Sequence, residues 1–230
     1  MIGIIAAIDE EIDFFIKNTE IIETSNDNNV IFYYLKKENR HIILAKSGAG
    51  KVNASMTVTK MIDKYKPEII INRGIAGGLE TVEVGNFVTG NKMVYYDVNM
   101  SSHRSNHQHG KVRGLPLEFT SDSKLVANFY NFCNENKITS LVGIIATGDY
   151  FVSNSTYLDN ISREISNILA VDMESAAIAQ VCYLHNVPFL SVRAISDIIT
   201  TSYKNEEFTL NIKNACCKLA EQILGYICTI

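Results

Sequence analysis

The chain has 230 residues, enough for one α/β domain with a large core, and its 47% hydrophobic and 20% charged residues are typical of a globular protein. The formal net charge is −4 and no basic block occurs, which argues against nucleic acid or an anionic membrane as the main partner. These properties favour a small-molecule ligand.

The N-terminal segment and the cysteines indicate the compartment. Met1–Ile8 is apolar but lacks a basic flank and runs directly into Asp9–Glu11, so we interpret it as a buried strand rather than a signal peptide. Five cysteines, an odd number without C-x-x-C spacing, fit buried thiols in a reducing compartment better than disulfides or a zinc site. We therefore expect a cytoplasmic protein.

The first part of the chain predicts a strand, a helix and a hairpin. A strand over Ile2–Ile8 precedes a helix whose first turn holds the acids Asp9–Glu11. The first two of these acids are explained by their favourable interaction with the helix N-terminus alone. Val30–Leu35 and His41–Lys46 predict two further strands that pair as a hairpin.

Two glycine-rich segments resemble nucleotide-binding motifs, but the spacing of their glycines does not match those motifs. Ser47–Lys51 opens a helix, yet a phosphate loop would require glycine at Ala45 and a hydroxyl at Val52. The glycines of the loop Arg73–Gly78, which follows the strand Glu68–Asn72, do not fit the dinucleotide pattern. Both segments predict tight turns that bring bare backbone close to a ligand.

An irregular span, Asp97–Thr120, follows two predicted strands, Gly85–Thr89 and Met93–Tyr96. A segment of this length without regular structure usually forms a functional lid or an interface. Its three histidines are potential metal ligands, but no Cys, Asp or Glu lies among them, which favours a solvated loop and no metal. They are His103, His107 and His109.

The second half predicts another helix and strand before a terminal docking helix. Ser123 caps a helix that runs to Asn136, and the strand Leu141–Ala146 ends at Thr147–Val152. In that segment Phe151 either meets a ligand or belongs to the core. The last helix has one apolar face, formed by Phe208, Ile212, Cys216, Leu219 and Ile223.

A strand, helix, strand unit carries acids where its strands end. The strands are Ile168–Val171 and Phe189–Ala194, with a helix from Asp172 to about His185 between them. The carboxyl ends of parallel strands face one crevice, so these acids are expected to converge on a ligand. Alternatively, the first two stabilise the helix N-terminus, an explanation that does not extend to the third. The three acids are Asp172, Glu174 and Asp197.

No repeat, linker or low-complexity tract interrupts the chain. We therefore predict an α/β fold in which residues 1–230 form a single domain. Its central sheet is expected to be mixed and largely parallel, with helices on both faces.

Six segments occur in the order and spacing of one family, and the chain resembles the methylthioadenosine/S-adenosylhomocysteine nucleosidases. These belong to the purine nucleoside phosphorylase and uridine phosphorylase superfamily. The resemblance covers nearly the whole chain and implies hydrolysis of the adenine–ribose bond without metal or organic cofactor, a role in methionine salvage, and a homodimer. The segments are Ala6–Glu11, Ser47–Val52, Ile71–Gly78, Thr147–Val152, Val171–Glu174 and Val192–Asp197.

The resemblance also implies roles for individual residues. Asp197 would protonate N7 of adenine, Glu11 would orient and activate the attacking water, and Glu174 would hold the ribose hydroxyls. Acids suit this chemistry, because adenine is a poor anionic leaving group and positive charge grows on the sugar. The remaining substrate contacts implied are Met173 under the ribose, Phe151 and the backbone of Val152 at the purine, Ala76 and Gly77 at the pocket floor, and Ile8 and Ser196.

Three positions depart from the family pattern. Ile75 replaces a serine and Arg73 a small or hydroxylic residue, so we expect a bulkier and more basic pocket floor. Arg113 replaces a proline in a segment that the partner subunit normally contributes to the alkylthio pocket. The stretch Met100–His109 is also longer and more polar than usual, which leaves the preferred 5′-substituent open.

Three other functions stay open. A phosphorylase would need cations around a phosphate, for which Arg73 is the only hint, whereas the acids Asp9–Glu11 would repel phosphate. A futalosine-type nucleosidase would differ in substrate rather than mechanism. A non-catalytic nucleoside-binding protein would not need Glu11 and Asp197, so the presence of both argues against it.

Overall fold

Strands and helices alternate along most of the chain in the computed structural model, which describes residues 1–99, 108–152, 165–199 and 205–230. The strands are β1 (Ile2–Ala6), β2 (Glu20–Asp27), β3 (Val30–Lys37), β4 (Arg40–Lys46), β5 (Ile69–Gly78), β6 (Phe87–Tyr95), β7 (Phe119–Thr120), β8 (Ser140–Thr147), β9 (Ile168–Asp172) and β10 (Phe189–Ile198). The helices are α1 (Asp9–Asn18), α2 (Lys51–Tyr65), α3 (Ser123–Glu135), α4 (Ser175–His185) and α5 (Asn205–Ile227).

The strands form one ten-stranded sheet in the order β10-β6-β8-β9-β5-β1-β4-β3-β2, with β7 paired to β6. Because β10 also pairs with β5, part of the sheet closes on itself. The sheet is mixed, as predicted: within the described residues, five strand pairs are parallel and five are antiparallel. The antiparallel pairs include the hairpins β2–β3 and β3–β4 and the pairing of β10 with β6.

Two segments predicted to be interrupted are continuous strands. β5 continues through Arg73–Gly78, which was expected to be a loop, because β10 pairs with it as far as Gly78. A Cβ atom on Gly78 would lie 2.5 Å from Val82 Cγ2, so only glycine fits there. β6 joins the two strands predicted on either side of Gly90, with an irregularity in its register against β8 between Gly90 and Lys92.

Two helix starts differ from the predictions. Asp122, not Ser123, is the N-cap of α3, and its Oδ1 accepts hydrogen bonds from the backbone N–H groups of Lys124 and Leu125. α4 begins at Ser175 rather than Asp172, because β9 continues as far as Asp172.

Helices cover both faces of the sheet, and each side has an apolar cluster. On one side, residues of α2 and α4 such as Val58, Met61 and Ile178 pack against the sheet. The other side is covered by α1, α3 and α5, where Cys216, Leu219 and Ile223 of the predicted apolar face are buried. In the described parts of the chain, no helix combines the length and apolar character needed to cross a membrane.

Candidate active site

A cavity of about 250 Å³ opens where β1, β5, β9 and β10 end. The strand order explains its composition, because β1, β5 and β10 are parallel neighbours that deliver their C-terminal residues to one place. Every residue assigned to the site from the sequence lines it: Glu11, Asp197, Ile8, Ala76, Gly77, Phe151, Val152, Met173, Glu174 and Ser196.

Glu11 presents its carboxylate from the first turn of α1. Its side chain is 1% exposed, whereas Glu10 is exposed to solvent. Oε2 accepts hydrogen bonds from the backbone N–H groups of Ala7, at 2.6 Å, and Ile8, at 3.3 Å. Oε1 accepts one from Ile75 N at 2.8 Å. All three partners are donors, which suits an ionised carboxylate because that group only accepts hydrogen bonds.

Asp197 lies near the end of β10, next to an irregularity in the β10–β5 pairing. Burial raises the pKa of its carboxyl above the usual value, because the charged form loses hydration. Ser196 Oγ donates a 2.7 Å hydrogen bond to Asp197 Oδ1, which acts in the opposite direction on that pKa. The environment therefore favours a carboxyl that holds its proton to higher pH than usual.

Asp172 and Glu174 share a buried guanidinium, that of Arg193. Arg193 Nη2 lies 2.7 Å from Asp172 Oδ2 and 3.6 Å from Glu174 Oε2. Asp172 also accepts from Thr147 Oγ1 at 2.5 Å and from the N–H and hydroxyl of Ser175. The alternative predicted for Asp172, stabilisation of the helix start, is therefore present in the structure.

Glu174 differs from Asp172 in its environment. Burial raises the pKa of Glu174 to about 7, with Arg193 opposing the shift and Asp172 adding to it. Glu174 Oε1 accepts a 3.0 Å hydrogen bond from Gly50 N, in the glycine turn before α2. Gly50 has a φ of 95°, which L side chains rarely adopt, so the turn requires glycine to aim this N–H.

Arg193 lies within the segment Val192–Asp197, and the sequence pattern predicts no role for it. It is 1% exposed, and both of its acidic partners line the cavity. A Cβ atom on Gly74 would lie 2.0 Å from Arg193 Nη1 and 2.5 Å from Glu11 Oε1, so Gly74 leaves room for both groups. The available signal was an arginine in the middle of an apolar strand, which is unfavourable unless the charge is paired.

Arg73 does not make the pocket floor more basic, contrary to the prediction. Arg73 and Ile75 lie two residues apart on β5, but only Ile75 reaches the cavity at the strand end. The fully buried Arg73 guanidinium instead bonds to the backbone carbonyls of Glu11 and Cys216, the latter at 2.7 Å. Arg73 therefore joins α1 to α5.

The segment between β6 and β7 is partly described. Arg113 is exposed and is not among the described residues that line the cavity of its own chain. His109 Nε2 lies 2.6 Å from the backbone carbonyl of Tyr96. His103 and His107 fall outside the described residues, as does most of Met100–His109.

Phe151 is a cavity residue rather than a core residue. Its side chain is 64% exposed and meets Phe208 of α5 edge-on, with ring centroids 6.5 Å apart. Within the described ranges, the charged side chains that line the cavity are all acidic: Glu11, Asp172, Glu174 and Asp197. The cavity thus combines an exposed aromatic ring with carboxyl groups in different environments.

The family model of the phosphorylase superfamily matches residues 1–227 of this chain. Relatives named 5′-methylthioadenosine/S-adenosylhomocysteine nucleosidase, from Staphylococcus epidermidis and Staphylococcus aureus, are 35% and 36% identical over 199 residues, or 86% of each chain. The chain belongs to this nucleosidase family within the phosphorylase superfamily.

Solved structures agree with this assignment. S-adenosylhomocysteine nucleosidase from Streptococcus pyogenes, in complex with 5-methylthiotubericidin, is 34% identical with a TM-score of 0.91, covering 98% of this chain and 94% of that one. The Neisseria meningitidis nucleosidase with methylthio-immucillin-A has a TM-score of 0.93 at 28% identity, over 100% and 99%. Futalosine hydrolase of Helicobacter pylori is also similar, with a TM-score of 0.92 at 26% identity, over 100% and 97%.

Proposed function

We propose that this protein hydrolyses the N-glycosidic bond of 5′-methylthioadenosine, S-adenosylhomocysteine or both, releasing adenine and the thioribose product. The observation that carries the proposal is one cavity with two acids in contrasting environments. Glu11 is held by three backbone N–H donors, whereas burial raises the pKa of Asp197. Residues 1–230 would act as a single catalytic domain.

The contrast between the two acids matches the needs of the reaction. Asp197 keeps a proton and transfers it to N7 of adenine as the bond from N9 to C1′ breaks, so adenine leaves as a neutral base. Ionised Glu11 accepts a proton from water, whose oxygen bonds to C1′. The buried carboxylates also stabilise positive charge that grows on the ribose.

The other cavity residues hold the nucleoside in place. Glu174 accepts hydrogen bonds from the ribose hydroxyls while Met173 lies beneath the sugar. Phe151 packs on the purine, and the backbone of Val152 binds its edge. This pose is supported by the shared cavity and by relatives solved with methylthio-nucleoside analogues.

Hydrolysis is favoured over phosphorolysis by the charges in the cavity. Its described charged lining is acidic, and a phosphate dianion would be repelled there. Arg73 points away, and the nearby Arg193 guanidinium is already paired with Asp172 and Glu174. Water is therefore the better-suited nucleophile.

Futalosine hydrolysis is the second candidate, supported by the similarity to the Helicobacter pylori enzyme. It would use the same acids, because the bond that breaks again joins a purine base to C1′ of a ribose. The departures at Ile75 and Arg113 concern substrate preference rather than bond breaking.

One set of assays tests these alternatives. Methylthioadenosine, S-adenosylhomocysteine and futalosine are each incubated with the protein, with and without phosphate, and free base, free sugar and sugar phosphate are quantified. We expect adenine and free methylthioribose from methylthioadenosine at a rate independent of phosphate. Production of sugar phosphate, or turnover of futalosine alone, would reject the proposal.

We also propose that the protein works as a homodimer in the cytoplasm, where its products enter methionine salvage. The dimer is supported by exposed apolar side chains on the packed helices α2 and α4: Val52 and Met56 are 78% and 41% exposed, and Tyr183 and Leu184 are 54% and 55% exposed. Five free cysteines are consistent with a reducing compartment. Sedimentation equilibrium measures the mass, and a monomer at micromolar concentration would contradict the dimer.

A further inference from the structure

Tyr96 connects the end of β6 by hydrogen bonds to the segment Thr147–Val152, which contains Phe151. It is 4% exposed and lies immediately after β6. Its phenol Oη shares its single proton between two backbone carbonyls of this segment, that of Gly148 at 3.1 Å and that of Tyr150 at 2.5 Å. Its backbone N donates to Thr147 O at 3.0 Å. One residue thus holds three successive parts of the segment.

The aromatic ring of Tyr96 lies directly against the backbone of this segment. A Cβ atom on Gly148 would be 2.5 Å from Cε2 and Cζ of Tyr96, a distance that real Cβ atoms do not show. Glycine at this position is what allows the phenol to reach both carbonyls. The contact between the Tyr96 ring and this backbone therefore requires glycine at position 148.

Neighbouring groups restrain the same segment. Asp149 N donates to Asp97 Oδ2 at 2.9 Å, and Gly148 N donates to Asp172 O at 3.1 Å. Tyr96 O in turn accepts a 2.6 Å hydrogen bond from His109 Nε2. The backbone just before Phe151 is therefore fixed to β6 and to β9, although Phe151 itself is largely exposed in the cavity.

We propose that Tyr96 is a positioning residue for the purine. By holding the carbonyls of Gly148 and Tyr150, it keeps the ring of Phe151 and the backbone of Val152 in the geometry that receives the base. This role rests on the proposed function, in which the base lies against these two residues. It concerns binding rather than bond breaking, because both acids, Glu11 and Asp197, are on other elements.

The neighbouring tyrosine provides a matched control. Tyr95 is 5% exposed, like Tyr96, but its hydroxyl donates to Gln180 Oε1 on α4 at 2.8 Å. Tyr96→Phe and Tyr95→Phe each remove one hydroxyl that donates a hydrogen bond and keep the ring. Only the first changes the segment before Phe151.

The test measures adenine affinity by calorimetry, and KM and kcat for methylthioadenosine, in the wild type and both variants. We expect Tyr96→Phe to raise the adenine Kd and the KM by about 3- to 10-fold, the effect of one hydrogen bond, with kcat within about twofold. Tyr95→Phe should leave the adenine Kd unchanged. Equal adenine affinity in the two variants, whether both normal or both weakened, would overturn the proposal.

Hydrogen exchange in the intact protein gives a second readout that does not depend on activity. The amides of Gly148 and Asp149 should exchange faster in Tyr96→Phe than in Tyr95→Phe, since both are hydrogen-bonded in the restrained segment. Unchanged exchange would also reject the positioning role. If the wild type binds adenine but does not cleave methylthioadenosine, the proposed function fails while the adenine comparison still decides the role of Tyr96.

Discussion

Adjacent acids in the first turn of α1 have opposite environments. Glu11 is buried with three backbone donors, whereas Glu10 is exposed. Successive helical side chains diverge by about 100°, so only one of them can face the cavity. The structure thus agrees with the helical register implied by the family resemblance.

Glu11→Gln is expected to lower kcat by about 10² to 10⁴, because a neutral amide cannot accept a proton from water. Adenine binding should survive in this variant. Glu10→Gln, the matched control, should change kcat by less than about twofold. If steady-state assays instead show that Glu10→Gln loses activity and Glu11→Gln keeps it, Glu11 does not activate the water.

Glu174 makes stability depend on pH. Its pKa is about 7 in the folded protein and close to the ordinary 4.5 in the unfolded chain, so the folded state binds the proton more tightly. The associated stability is fully present below about pH 4.5 and is lost as the pH rises through about 7.

Glu174→Gln removes this dependence. We expect the free energy of unfolding of the variant, relative to the wild type, to increase by about 1 to 3 kcal/mol between pH 4.5 and 7.5. Urea denaturation at several pH values measures it, with Glu10→Gln as the control that keeps the wild-type profile. A constant difference across this range would show that Glu174 titrates normally.

At the scale of elements, Arg73 connects two helices that flank the cavity. Its guanidinium bonds to the backbone carbonyls of Glu11 in α1 and Cys216 in α5, while its Nε has no partner among the described residues. α5 also carries Phe208 and Ile212, which line the cavity. The position of these walls therefore depends on a buried cation with incomplete hydrogen bonding.

Arg73→Met is expected to lower the free energy of unfolding by about 1 to 3 kcal/mol, because two buried carbonyls lose their donor, a loss partly offset by relief of the buried charge. Arg40→Met changes an exposed arginine and should cost less than about 0.5 kcal/mol. Urea denaturation compares them. If both variants have the same free energy of unfolding, the hydrogen bonds of Arg73 to α1 and α5 do not contribute to stability.

The elements that the sequence predicted best are those with strong local signals. The helices at Asp9 and Lys51 and the hairpin from Val30 follow from periodicity and turn residues. By contrast, the continuation of β5 to Gly78 depends on β10, which is more than one hundred residues away in sequence. Local glycines predicted a loop there, and long-range strand pairing prevailed.

At the scale of the whole molecule, the sheet brings distant acids to one cavity. That convergence was predictable, because acids occur in the sequence where strands end. The pairing of Arg193 with both Asp172 and Glu174 was not predictable, because it depends on packing between β9, α4 and β10. The placement of Arg73 was mispredicted for a related reason. The sequence places Arg73 and Ile75 on the same strand but does not show that the cavity reaches Ile75 and not Arg73.

Arg113 is exposed and does not line the described cavity of its own chain, so it could meet a substrate only in an assembly. If a partner subunit delivers it to the 5′ end of the substrate, its charge favours the carboxylate of S-adenosylhomocysteine. Exposed ion pairs contribute about 0 to 1 kcal/mol, so Arg113→Pro is expected to shift kcat/KM toward methylthioadenosine by up to about fivefold. An unchanged ratio of the two kcat/KM values would place Arg113 outside the tail site.

The central claim is that Asp197 supplies the proton that lets adenine leave, and kcat of Asp197→Asn tests it most directly. Burial raises the pKa of this carboxyl, and asparagine keeps its shape without a transferable acidic proton. We expect kcat for methylthioadenosine to fall by about 10² to 10⁴ while the adenine Kd stays within a few-fold of the wild type. A folded Asp197→Asn protein that turns over methylthioadenosine at a near-normal rate would contradict the mechanism.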